Sequence, residues 1–335
     1  MKNLFGLLLL ALLVSPLHAR AADGCAELLQ RPFPTDYALR VATVACNESS
    51  LWYRAFIDVD GRLASTTVME VESSQLHDGV TPAWKRVAAY WRESGMLGQM
   101  AGFPGATDCN YSGGERWQSA SCRAFLVDQP WSAAFVSYVM AKAGVPGFRG
   151  SASHVDYVRD AYLRPDVSPY TLADPFGSTI AVGDMLCFVR ASSQTFGYDG
   201  LRRFFDGSGG AGLKMHCDIV VSNNKGVVSA VGGNVLQGVT LRQLPVNRSG
   251  LLWGVPRKSV GEPACSPDAV SNCNFNRQDW SALLKLKQLP PAPVAAPSSP
   301  IGPDPRSANC CINCDVGAVP AIPRCPVNAT PAREN

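Results

Sequence analysis

Residues 215–235 read MHCDIVVSNNKGVVSAVGGNV, and this stretch decides the class of fold. Two apolar, β-branched runs flank Asn223-Asn224-Lys225-Gly226, a turn composition that predicts a β-hairpin. Upstream, VGDMLCFVR (182–190) reads as another strand bounded by Gly183-Asp184. Downstream, GVTLRQLPV (238–246) and LLWGVP (251–256) are expected to finish the sheet. The N-terminal side has a different period. In TPAWKRVAAYWRESGM (81–96), Thr81 can cap, Pro82 suits the first turn, and Trp84, Val87, Ala88 and Trp91 share a helical face. QPWSAAFVSYVMAKAG (129–144) repeats Trp131, Ala134, Phe135, Tyr138 and Val139 at helical spacing, and Gly144 ends it. SASHVDYVRDAYL (151–163) is a third, shorter helix. Helices first and an antiparallel meander afterwards is an α+β pattern.

Around this unit the chain divides by composition. Residues 1–21 read as a cleaved signal: Lys2, then the apolar run LFGLLLLALLV, then Ala19-Arg20-Ala21. Residues 22–75 are an N-terminal extension. Its YALRVATVAC (37–46) suits a strand or a helix, and LWYRAFIDVDGRLASTTVMEVE (51–72) suits two strands about Asp60-Gly61. The main domain covers 76–288, a Pro-rich linker 289–305 and a Cys-rich tail 306–335. All 12 cysteines lie beyond the signal, an even number that fits disulfides in an oxidising compartment. The expected location is therefore exported, periplasmic or extracellular. Cys109 and Cys122 bracket a Gly/Ser-rich loop that a bridge would pin, and Cys187 and Cys217 are a bridged or buried pair on neighbouring strands. The formal charge of +3 includes Lys2 and Arg20, leaving +1. That gives no footprint for nucleic acid, and no later segment is long enough to span a membrane.

Beyond the signal there are three histidines: His77, His154 and His216. His77 sits in a polar stretch and reads as a solvated loop residue. His216 opens one strand of the hairpin and Asn234 closes the other. An imidazole on one strand, oriented by an amide on the next, is what a general base needs. A nucleophile would come from a helix N-terminus, where backbone N–H groups favour developing negative charge, and Ser132 lies in such a first turn. Asp218 shares the face of His216 by strand alternation and would be costly to bury unpaired. His154 and Asp156 form a second His-x-Asp pair, with His154 either packing its helix or lining the cleft. A metal held by His154, Asp156, His216 and Asp218 is disfavoured, because residues two apart on a helix diverge by about 200°; no cofactor is expected. Trp131 is a core residue or a ring for stacking on a sugar. Gly207-Ser-Gly-Gly-Ala-Gly212 formally matches a dinucleotide fingerprint, but a strand follows it rather than a helix. It reads instead as a loop beside His216 that could serve as a lid.

PWSAAFVSYVMAKAG, GDMLCFV, HCDIVV and GGNV, in that order over about 125 residues, resemble the CHAP and NlpC-type papain-like amidases of bacterial cell walls. The whole stretch is most similar to the bacterial domain of unknown function 2272 family. The resemblance implies a papain-like domain in which Ser132 occupies the place of the catalytic cysteine. It also implies His216 as base and Asn234 as the orienting residue. Two departures stand out: the serine, a weaker nucleophile than a thiol, and Asp218 where the amidases carry Gly or Ala. A hypothesis joins them, in which Asp218 supports His216 or receives hydrogen bonds near the helix start. The expected function is hydrolysis of an amide or peptide bond in peptidoglycan or a related glycopeptide. The alternatives are an esterase, and a non-catalytic glycan- or peptide-binding domain that kept the cleft.

Overall fold

The computed structural model describes residues 24–292, apart from 67, 71, 112, 113, 192, 193, 208 and 209. The signal, most of the linker and the Cys-rich tail lie outside the described residues, as does part of the Gly207–Gly212 loop.

The hairpin is formed by β5 (Met215–Asn224) and β6 (Val227–Val235). Lys225 and Gly226, both at positive φ (52° and 82°), make its two-residue turn, the left-handed geometry that matches strand twist. β4 (Met185–Val189) and β7 (Gly238–Pro245) pair antiparallel on either side. The full sheet has eight strands, in the order β2-β1-β7-β6-β5-β4-β8-β3. β1 is Phe56–Ile57, β2 Leu63–Ser65, β3 Tyr170–Ala173 and β8 Asp279–Leu286. All pairings are antiparallel except β1 with β7. The architecture is α+β, as the pattern of elements predicts.

Two expectations about the sheet change. LLWGVP contributes only an isolated bridge, Val246 to Leu252. Its Leu252 and Val255 instead pack over one sheet face with Leu186, Phe188, Val220, Leu244 and Trp280. The strand it was expected to supply is β8, inserted between β4 and β3. DWSALLKL alternates Asp279, Ser281 and Lys285 with Trp280, Ala282, Leu284 and Leu286, interrupted only by Leu283, so its period-2 signal is present in the sequence.

Helices cover the other face. α5 (Ser132–Ala143) is central and buried nearly all round, and ends at Gly144 in the left-handed conformation (φ 70°). α3 (Ala83–Glu93) and α6 (His154–Leu163) flank it. Pro82, rather than Thr81, stands at the N-cap of α3, and the Thr81 hydroxyl donates to Asp78 at 2.5 Å. The segment expected as a Gly/Ser-rich loop contains α4 (Arg116–Asp128), whose capping box joins Glu115 and Gln118. α7 (Gly197–Gly207), also unforeseen, precedes β5.

The N-terminal extension is woven into this same body. α1 (Cys25–Leu29) is tied to α2 (Tyr37–Leu51) by the Cys25–Cys46 disulfide, and α2 packs on both α5 and the sheet. Further bridges join Cys109–Cys122, Cys187–Cys217 and Cys265–Cys273. Cys187 and Cys217 stand directly opposite each other in the β4–β5 register. Four disulfides among the described residues are consistent with export. No helix there is long and apolar enough to cross a membrane.

Candidate active site

α5 starts without a side-chain cap, so its N-cap residue offers no side-chain acceptor to the first-turn N–H groups. Ser132 is the first residue of the helix and only 5% exposed. Its Oγ lies 2.7 Å from Nε2 of His154, the first residue of α6. The two helix starts are brought together by a seam: Ser137 Oγ donates to the Ser151 carbonyl (3.0 Å) and accepts from the Ser151 N–H (3.1 Å). Gly150 passes close to Ser137, where a Cβ would sit 3.2 Å from its side chain. The other nitrogen of His154, Nδ1, is hydrogen-bonded to the Tyr157 hydroxyl one turn along. Asp156 diverges as helical spacing demands; it is exposed and accepts from the Ser151 hydroxyl (2.6 Å). No cluster of three or more metal-binding side chains exists among the described residues.

A second imidazole stands beside the first. The rings of His154 and His216 are 5.2 Å apart, centroid to centroid. His216 Nε2 lies 2.8 Å from Asp218 Oδ1, and Asp218 Oδ2 accepts from Arg242 Nε at 2.8 Å. Arg242 is held in turn by the Phe275 carbonyl (2.6 Å) and Asn276 Oδ1 (3.1 Å). All of this is buried: His216 and Asp218 are each 1% exposed and Arg242 3%. Gly232, across the strand, leaves room for it. A Cβ there would fall 1.9 Å from Asp218 Oδ1 and 2.9 Å from His216 Nε2. Gly233 faces the other way, where a Cβ would strike Phe135 of α5 at 2.4 Å. The glycine pair thus lets β6 press against the ion pair on one side and the Ser132 helix on the other.

The protonation pattern follows from these contacts. Burial opposes charge on Asp218, but His216 and Arg242 more than offset it and bring its pKa down to about 2. The carboxylate is therefore ionised and must accept, so His216 donates from Nε2–H. That leaves the Nδ1 lone pair of His216, which is buried and has no hydrogen-bond partner. Burial lowers the pKa of His216, against the opposing pull of Asp218. Burial, and then the neighbouring His216, lower His154. Both imidazoles are neutral near pH 7. Burial also pushes Tyr157 well above the usual phenol range, so it keeps its proton.

The imidazole in contact with Ser132 is His154 rather than His216. Of the two residues offered to orient His216, Asp218 makes the hydrogen bond and Asn234 is engaged elsewhere. Asn234 adopts positive φ (54°). In the amide orientation that satisfies both neighbours, it donates to Glu70 Oε2 (3.1 Å) and accepts from the Trp131 N–H (3.2 Å). Asn234 therefore anchors the residue preceding Ser132. Nor is Trp131 available to a sugar. It is 0% exposed, stacked near Trp52 and Tyr90, and its indole N–H donates to Glu70 Oε2 at 2.5 Å. Tyr157, Arg242 and Glu70 were not singled out from the sequence. Tyr157 had a signal, lying three residues from His154 on the same helical face. So did Arg242, a charge in the middle of an apolar strand.

The chain matches the model of a bacterial family described as "Uncharacterized protein conserved in bacteria (DUF2272)" over residues 78–286, well over half its length, and belongs to that family. Neither a curated protein nor a solved structure matches it significantly.

Proposed function

We propose, taking that membership as the premise, that the domain is an acyl-transfer hydrolase of papain-like design with Ser132 as its nucleophile. Its substrate class is the amide or peptide bonds of peptidoglycan. The observation that carries the reading is the 2.7 Å hydrogen bond between Ser132 and a neutral, buried His154 at an uncapped helix start. In the tautomer where Nδ1–H donates to Tyr157, Nε2 of His154 accepts the Ser132 proton as Oγ bonds to the substrate carbonyl carbon. The first-turn N–H groups of α5 stabilise the oxyanion. Collapse of the tetrahedral adduct breaks the C–N bond, and the imidazolium returns its proton to the leaving amine. Water then attacks the acyl-serine and gives a proton to an imidazole; the C–Oγ bond breaks, the acid leaves, and the imidazolium returns that proton to Ser132 Oγ. His216, with Nδ1 held unprotonated by Asp218, is a second base for that step. The ionised Asp218 stabilises positive charge on His216, whereas His154, the partner of Ser132, is held by Tyr157.

A second reading has an observation of its own. Ser132, His154 and His216 are all 5% exposed or less, which suits a polar core beneath a binding surface equally well. Turnover separates the two. Purified peptidoglycan and short esters would be incubated with the mature protein and its Ser132→Ala and Ser132→Cys variants. The hydrolase reading expects turnover abolished by Ser132→Ala; turnover that survives this change overturns the assignment. Binding without turnover in all three proteins supports the second reading.

A further inference from the structure

Two cations face the strand end next to this site. The Arg190 N–H donates to the Lys214 carbonyl at 2.8 Å, one step beyond the Val189–Met215 and Phe188–His216 pairs. The register thus sets Arg190 directly opposite Lys214. By alternation both lie on the face that carries Phe188 and His216, whose rings are 5.2 Å apart.

Like charges directly opposed across an antiparallel pair are destabilising, and a sheet usually relieves them with an acid nearby. Here both side chains are exposed, and neither makes a side-chain hydrogen bond or ion pair with the described residues. Asp218, the nearest buried carboxylate on this face, is already committed to His216 and Arg242. The Arg190 charge also reaches the catalytic candidates, since it is among the causes that hold His154 and His216 below the usual imidazole range. A guanidinium whose interacting acid, Asp218, is already paired twice, and an ammonium opposite it on the strand end that carries His216, form a receptor for an anionic group. The planar fork of Arg190 matches a carboxylate in bidentate fashion, with Lys214 adding a point charge.

We infer that Arg190 and Lys214 form a carboxylate-binding subsite at the edge of the Ser132 site, which selects substrates bearing a free acidic group near the scissile bond. The inference rests on the reading of Ser132 as the reacting centre, but its test does not require turnover. The Ser132→Ala protein would be titrated calorimetrically with soluble peptidoglycan fragments carrying free carboxylates. The same fragments with those carboxylates converted to methylamides would be titrated in parallel. Expected are binding of the free acids, about tenfold weaker binding of the methylamides, and loss of that difference in Ser132→Ala/Arg190→Gln. Arg190→Lys, which keeps the charge but not the fork, should retain part of it. Equal affinity for both fragment sets, failure to bind either, or discrimination that survives both Arg190→Gln and Lys214→Gln overturns the inference. Ester turnover by the unaltered protein reports separately on the hydrolase reading.

Discussion

Ser132 Oγ and His154 Nε2 are 2.7 Å apart, at the first residues of two consecutive helices, and the Ser137–Ser151 seam locks those helices together. Replacing His154 by Gln should lower turnover roughly 10³-fold or more, as for loss of a base that acts with its nucleophile. His216→Gln should cost less if its base serves only the second step. Accumulation of acyl-enzyme in His216→Gln, read as a burst in ester hydrolysis, tests that division; equal burst-free losses in both variants argue against it.

The pH profile follows from the direction of the histidine shifts. Both imidazoles lie below the ordinary value of 6.5 in the folded protein, because burial disfavours their charged form. The neutral form is the base, so kcat/KM should hold as pH falls through 6.5 and decline only below the lowered values. Stability follows the same sign. Below pH 6.5 the unfolded chain binds protons that the folded chain refuses, so folding weakens as pH falls. Asp218, at about 2 against an ordinary 3.8, contributes stability that is full above 3.8 and is lost as pH falls through 2. A denaturant titration at intervals from pH 8 to 2 should show two descending regions. A flat response between 6.5 and 4.5 contradicts the buried neutral histidines.

Arg242 offers a sharper test of the buried pair. Arg242→Leu strands Asp218 without its second partner and should cost about 3–5 kcal/mol in unfolding free energy. Asp218→Asn combined with Arg242→Leu should recover part of that loss. Strict additivity of the two substitutions would show that the pair is not coupled.

The glycine pair makes a prediction with a built-in control. Gly232→Ala drives a methyl into the Asp218 carboxylate and should destabilise by about 1–3 kcal/mol. Gly233→Ala does the same against Phe135. Gly98→Ala meets no atom within 4 Å and should change little. Thermal melts of the three variants check the order.

The sequence reading succeeded where the pattern was local. The Lys225-Gly226 turn, α5 with its Gly144 stop, and the face shared by His216 and Asp218 all follow from turn chemistry and period. It failed where long-range packing decides. His154 reaches Ser132 only because Ser137 and Ser151 join their elements across 14 residues. Asn234 was assigned by strand order, but its amide meets Glu70 and the Trp131 backbone instead of His216. Glu70 lies in irregular chain outside any helix or strand, and nothing in its neighbours announces a partner 61 residues away.

The family match begins at residue 78, yet the body of the protein does not. A chain started there would lose Glu70, and with it the acceptor for the Trp131 indole. It would also lose Glu48, which holds Arg86 and Tyr90 together beneath α5. β7 would give up its partner β1 and present Leu241 and Arg242 along a naked backbone ladder, the kind of edge that recruits other chains. Expressed alone, residues 78–286 should therefore collect as insoluble aggregate, and the segment ahead of the family boundary acts as the built-in guard of the sheet.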